Sequence, residues 1–250
     1  MPTCRAHALP KAGSSIREYE DAWACQEDPA SGTWRLAVAD GATESSFAGL
    51  WATMLVQAYA QGQWQPGTGN RADLEDLRRL WQGAVSDRPL PWYAEEKLRA
   101  GAYATFVGLE VGGAAGGGRW HAVAIGDSCL FHLRGARLVR SFPFRAEGDL
   151  PLRPQAICSG LGAEALFAET EGDWRPGDSF LLMSDALAHW CLGKAERRGR
   201  PFPTLLRLAD AGPREFARWA AVRRRTGQLR NDDVTLLALK CREAAPWRRS

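Results

Sequence analysis

A chain of 250 residues with 45% apolar and 24% charged residues has enough material for one full hydrophobic core, and these proportions exclude a disordered or fibrous protein. The formal charge of +3 comes from mixed signs along most of the chain, so nothing argues for nucleic acid as a partner. No stretch approaches the ~18 apolar residues of a membrane span, and the opening MPTCRAHALPKAGSS has no apolar signal core; a cytoplasmic protein without a membrane partner is expected.

The first third reads as extended segments around AWACQED and TWRLAVAD, joined by the turn-like DPASG. A helix is predicted over Phe47 to Ala60, with Leu50, Met54 and Val56 against a sheet and Ser45 or Ser46 capping its first free N–H groups. A loop at Pro66 to Asn70 leads to a second helix marked by Leu74, Leu77, Leu80 and Trp81, and a third covers Ala94 to Ala102. The texture then turns to strands: ATFVGLEV, RWHAVAIGDS, and CLFHLRGARLV with a hairpin turn at Arg134-Gly135. Between the first two lies GGAAGGG, Gly112 to Gly118. It lacks the Gly-Lys-Ser/Thr ending of a phosphate loop and reads as a flexible connection.

Phe142 to Leu161 has no clear period and carries prolines and charges, as lids and binding loops do. After it come the strand DSFLLMSD, helical segments at Leu187 to Gly193 and Pro213 to Thr226, and the strand DDVTLLALKC. The run Arg223 to Arg225 reads as a solvated helix end rather than a polyanion site. Six cysteines, at 4, 25, 129, 158, 191 and 241, never form Cys-x-x-Cys and several sit in apolar runs, which is the pattern of reduced core thiols. With no internal repeat and no interdomain linker, residues 1–250 form one domain, the last ten a basic tail.

Chemistry enters at the strand ends. RLAVAD ends on Asp40, HAVAIGD on Asp127 and SFLLMSD on Asp185, while Asp232-Asp233 opens the last apolar strand and Glu20-Asp21 precedes an early one. Two readings stand: independent caps and turn residues, or one shared site. Convergent carboxylates would repel one another unless a multivalent cation compensated, and an oxygen-rich set with few histidines suits Mg²⁺ or Mn²⁺ rather than Zn²⁺.

The ordered set Glu20-Asp21, Asp40-Gly41, Gly126-Asp127-Ser128, Ser184-Asp185 and Asp232-Asp233-Val234-Thr235 resembles the metal-dependent (PPM, type 2C) Ser/Thr protein phosphatases, a divergent bacterial branch, over residues 4–240. The resemblance implies an α+β fold, a four-layer α/β/β/α sandwich of two mainly antiparallel sheets flanked by helices. It also implies two Mn²⁺ or Mg²⁺ ions at one end, with a hydroxide shared between them as nucleophile towards phosphoserine or phosphothreonine. By position Asp40 would bridge both ions. The Gly41 carbonyl and Glu20 would help hold one, Asp185 and Asp232 the other, and Asp127 a third, weaker ion. Asp21 would orient the attacking water. Partners would be a phosphorylated protein, with a cognate Ser/Thr kinase or its targets.

Departures from the family pattern are visible. Ala42-Thr43-Glu44 follows Asp40-Gly41, Ala186 replaces a glycine after Asp185, and Asp233 replaces an asparagine. Arg17, the counterpart of a phosphate-binding arginine, stands three rather than four residues before Glu20, and a one-residue shift in a strand turns a side chain to the opposite face. These departures keep open a second reading, a regulator that binds phosphoproteins without turning them over. A haloacid dehalogenase site is excluded, because it needs an acidic residue two positions after the nucleophile and position 42 is alanine.

Overall fold

The structure, a computed structural model, describes residues 2–66, 71–86, 100–114 and 116–241. The third helix expected over 94–102, the end of the 66–70 loop and the basic tail beyond 241 lie largely outside the described residues.

Among the described residues, eleven strands form two sheets. One sheet runs β1 (Thr3–Leu9), β11 (Val234–Lys240), β10 (Asp178–Met183), β6 (Cys129–Arg134), β7 (Arg137–Phe142). The other runs β2 (Asp21–Glu27), β3 (Trp34–Gly41), β4 (Tyr103–Ala114), β5 (Gly117–Ile125), β9 (Ala168–Trp174), with the short β8 (Ile157–Cys158) paired to the start of β4. All these pairings are antiparallel.

Successive residues of a strand point to opposite faces, so a strand between two covered faces must be apolar on both. In β3, Leu36 and Val38 enter the layer between the sheets while Ala37 and Ala39 face the helices. In β10, Phe180 and Leu182 face the other sheet while Leu181 and Met183 face helices on the opposite side. The resulting core has three parts. Helices α1 (Ala48–Ala60) and α2 (Arg71–Ser86) cover the β3 sheet through Trp51, Leu55 and Trp81. Helices α3 (Asp185–Glu196), α4 (Pro201–Asp210) and α5 (Pro213–Arg225) cover the β10 sheet through Leu187, Leu205 and Phe216. The expected α/β/β/α sandwich is what the structure has.

Several local expectations are corrected. Neither Ser45 nor Ser46 caps α1: Phe47, in the left-handed conformation, precedes it without a side-chain cap, and Ser45 Oγ instead bonds the Ala42 carbonyl at 2.8 Å. Leu80 faces solvent, 61% exposed, while Leu74, Leu77 and Trp81 carry the buried stripe of α2. Cys4 and Cys25 are not separate thiols but a disulfide pair joining β1 to β2; Cys129, Cys191 and Cys241 are buried free thiols as expected. Within the glycine run, Gly113 pairs with Gly118 and Ala114 with Gly117 at the end of the β4–β5 ladder. Among the described residues, no helix is long and apolar enough to cross a membrane.

Candidate active site

The site is built from strand ends contributed by both sheets. Asp21 opens β2 and faces Asp40 across the β2–β3 ladder, at the end of the sheet. Gly41 donates its N–H to the Glu20 carbonyl at 3.3 Å, drawing the two acidic pairs together. A Cβ at Gly41 would lie 2.8 Å from both the Ala48 carbonyl carbon and the Glu20 carbonyl oxygen, so only glycine fits between the helix start and the strand. Asp127 follows Gly126, whose φ of +91° turns the chain from β5 towards β6 at a point where a Cβ would lie 2.5 Å from the Thr105 Cβ. Asp185 begins α3 directly after β10, and Asp232 stands just before the neighbouring β11.

Asp40, Gly41, Asp127, Asp185 and Asp232 line a single cleft of about 990 Å³. The irregular segment after β7 forms its other wall through Leu150, Pro151, Leu152 and Arg153, so the unpatterned stretch does border the site. Glu20 and Asp21 sit behind this rim. Arg17 lies on an exposed 3₁₀ turn, Ile16–Glu18, and is not among the cleft-lining residues, whereas Arg153 and Arg230 are.

Electrostatics follow from the crowding. Burial, then the charges of Asp21, Asp185 and Asp127, holds the Asp40 carboxyl well above the usual carboxylate range. Asp21 is pushed up to about 7, chiefly by burial, against hydrogen bonds from Thr235 and Ser184. Asp185 also reaches about 7 through burial and the neighbouring Asp127 and Asp232. Burial raises Asp127, with Arg230 partly offsetting it, and raises Glu20. The cationic side chain nearest Asp185, Arg230, stays 3.9 Å away and is 58% exposed, too loose a partner to neutralise the group.

Other residues hold this arrangement in place. Asp233 is a clasp: Oδ1 accepts the Lys11 N–H at 2.8 Å and Oδ2 the Glu20 N–H at 2.7 Å, fixing the entry to β2 from more than 200 residues away. Thr235 donates to Asp21 Oδ2 at 2.6 Å and shares a hydroxyl contact with the half-buried Tyr19. Ser184 Oγ accepts the Thr235 N–H at 3.0 Å. Thr235 and Ser184 belong to motifs visible in the sequence; Tyr19 has no such mark.

Whether these residues suit a divalent cation can be judged from the donors. All are oxygens, as hard cations prefer, and Asp21 Oδ1 and Asp127 Oδ1 are buried without a hydrogen-bond partner among the described residues. The donor chemistry and the unmatched negative charge fit such an ion. Among the described residues no three His, Cys, Asp or Glu side chains stand close enough together to make a finished cage.

No protein-family model matches the sequence, and no curated protein matches it. Among solved structures, the chain is similar to a bacterial serine phosphatase, at 11% identity and a TM-score of 0.60 over 98% of this chain and 100% of that one. It is also similar to the Mycobacterium tuberculosis serine/threonine phosphatase PstP/Ppp, at 20% identity and 0.55 over 96% and 99%. The PstP catalytic domain in complex with two manganese ions gives 20% identity and 0.57 over 96% and 99%. The sandwich, followed along nearly its whole length in these proteins, is the fold of the PPM-type Ser/Thr phosphatases.

Proposed function

We propose that this chain is a divalent-metal-dependent phosphatase acting on phosphoserine or phosphothreonine in proteins. The observation that carries the reading is the meeting of Asp40, Asp127, Asp185 and Asp232, from separate strands of both sheets, around one open cleft. Four carboxylates gathered there at a cost in mutual repulsion are hard to explain as caps.

In this reading Asp40, with Glu20 and the Gly41 carbonyl, would hold one Mn²⁺ or Mg²⁺, Asp40 with Asp185 and Asp232 a second, and Asp127 a third. Bound ions of this kind neutralise phosphoryl charge and supply a nucleophilic water near neutral pH. The protein's own part is positioning. Asp21, held by Thr235, would orient the water that such ions supply. Arg17 is the phosphate contact by chain position, but its exposed turn leaves Arg153 and Arg230 better placed to meet the phosphate. The segment at 150–154 lines the cleft and is the part of the wall that a bound substrate chain would meet in this reading. A phosphorylated protein is the expected partner, within kinase-linked signalling in the cytoplasm.

Purified protein should release phosphate from a phosphothreonine peptide when Mn²⁺ is added, and Asp40→Ala and Asp232→Ala should each abolish this while keeping a native circular dichroism spectrum. A second reading, a phosphoprotein-binding regulator, draws support from the lack of a finished ion cage among the described residues. Tight phosphopeptide binding with no phosphate release over hours would favour it.

A further inference from the structure

Two cavities meet at the acidic rim. The cleft shares His189 and Arg230 with a second pocket of about 690 Å³, walled by α3 on one side and by residues 227–231, after α5, on the other. Its charged lining is lopsided: Lys194, Arg197, Arg224 and Arg230 against the single carboxylate of Glu147. That carboxylate engages Arg197 at 3.2 Å in an exposed pair, which exchanges readily with water or another anion. Arg230 comes no nearer than 3.9 Å to Asp185, and Lys194 forms no ion pair among the described residues.

Arg224 is fixed differently. Its Nη1 donates to the Pro10 carbonyl at 3.0 Å and its Nη2 to the Asp232 carbonyl at 2.6 Å, which pins a positive charge in the pocket wall, and its Nε is buried without a partner among the described residues. Cations spread on a convex surface are ordinary solubilising charge. Gathered in a concavity with a rigid guanidinium behind them, they focus a positive potential beside a cleft that is otherwise acidic.

We propose that this pocket is a second anion subsite, which takes a carboxylate or a second phosphate on a residue flanking the phosphorylated one in the cleft. The inference rests on the phosphatase reading and narrows its substrates to phosphoproteins whose modified residue lies among acidic or further phosphorylated neighbours. Lys194 and Arg197, three positions apart at the end of α3, grip the flanking group, and Arg230, which borders both cavities, spans the two charges.

The test uses three labelled peptides, each with a non-hydrolysable phosphonate analogue of phosphoserine at its centre, flanked by alanine, glutamate or a second phosphonate. Anisotropy titration against the full chain with Mn²⁺ present reads affinity without turnover. The flanked peptides should bind about tenfold more tightly than the alanine peptide. In Lys194→Ala/Arg197→Ala that ratio should fall to about one, whereas Arg137→Ala/Arg140→Ala, which removes two equally exposed charges from β7, should keep it. Equal affinity for all three peptides, or the same loss of preference in both double variants, overturns the subsite. A preference confined to the doubly phosphonylated peptide supports it with phosphate as the flanking group; equal preference for glutamate supports it with charge alone as the requirement. Hydrolysis of the corresponding alanine-flanked phosphoserine peptide is read separately. Its absence beside an intact charge preference counts against the phosphatase and not against the subsite.

Discussion

A single methyl group at Gly41 tests how the acidic rim is assembled. In Gly41→Ala the new Cβ would stand 2.8 Å from the Ala48 carbonyl carbon and 2.8 Å from the Glu20 carbonyl oxygen, where ordinary contact begins at 3.4 Å, an overlap of 3.4 − 2.8 = 0.6 Å on each side. Both neighbours are backbone, so relief requires moving the start of α1 or the Glu20 peptide rather than rotating a side chain. Overpacking of this kind costs about 1–3 kcal/mol, and the stiffer unfolded chain returns about 0.4–1 kcal/mol, leaving a net loss of about 1–2 kcal/mol. For a chain of this length that lowers Tm by about 2–8 °C. Gly83→Ala in α2 is the control. Its Cβ would meet nothing within 4 Å, so helix propensity alone should raise Tm by about 1–4 °C. Scanning calorimetry in EDTA compares the two without any contribution from ion binding. If Gly41→Ala melts at or above the parent temperature, the close approach of Glu20, Gly41 and Ala48 is wrong, and with it the placement of the first two acidic pairs.

Other outcomes follow from the same geometry. Asp233→Ala removes the acceptor of two backbone N–H groups at a buried position and should cost about 2–4 kcal/mol by urea denaturation, more than Asp233→Asn, which keeps one acceptor. Saturating Mn²⁺, at a hundredfold over its dissociation constant, should stabilise the parent by about 2.7 kcal/mol in a thermal scan; Asp40→Ala should lose that gain and, with the crowding relieved, melt higher than the parent in EDTA. At the far end of the sandwich, burial lowers the pKa of His132 from its usual 6.5, while Arg134, His132 and the Arg175 N–H overcome the burial of Asp178 and hold it below 3.8. The unfolded chain takes up the His132 proton first, so this pair loses stability as pH drops below 6.5 and again below 3.8, against a gain from Asp21, Asp40 and Asp185, whose raised carboxyls bind protons first in the folded chain. The His132 part is read as the Tm difference between the parent and His132→Gln across pH 7 to 5. A difference between parent and His132→Gln that stays flat from pH 7 to pH 5 would contradict the buried, neutral state of His132.

The sandwich was legible where strands are covered on both faces. TWRLAVAD and DSFLLMSD are apolar at every core position, and each ends on its carboxylate where the chain leaves the interior. The edge strands β1 and β9 were not, although the edge strands β2 and β7 were. β9, AETEGDW, lies at the rim of its sheet and alternates half-covered with exposed residues, and β1, TCRAHAL, buries only His7 fully. Helix α4 was not predicted; its Pro201 and Pro203 both fall in the first turn, where a missing N–H costs nothing. The acidic residues could be found one by one, but antiparallel strands end alternately at opposite edges, so no spacing could say that they share an edge. The Asp233 clasp and the basic pocket were out of reach for the same reason, since each depends on pairings between distant parts of the chain.

One pairing governs when the site can exist at all. β1 has β11 as its ladder partner, and Asp233, at the head of β11, supplies the oxygens that grip Lys11 and Glu20. During synthesis the leading segment must therefore wait until the final strand has cleared the ribosome tunnel. Until then the entry to β2 lacks the support of Asp233, and Glu20 and Asp21 are not held against Asp40.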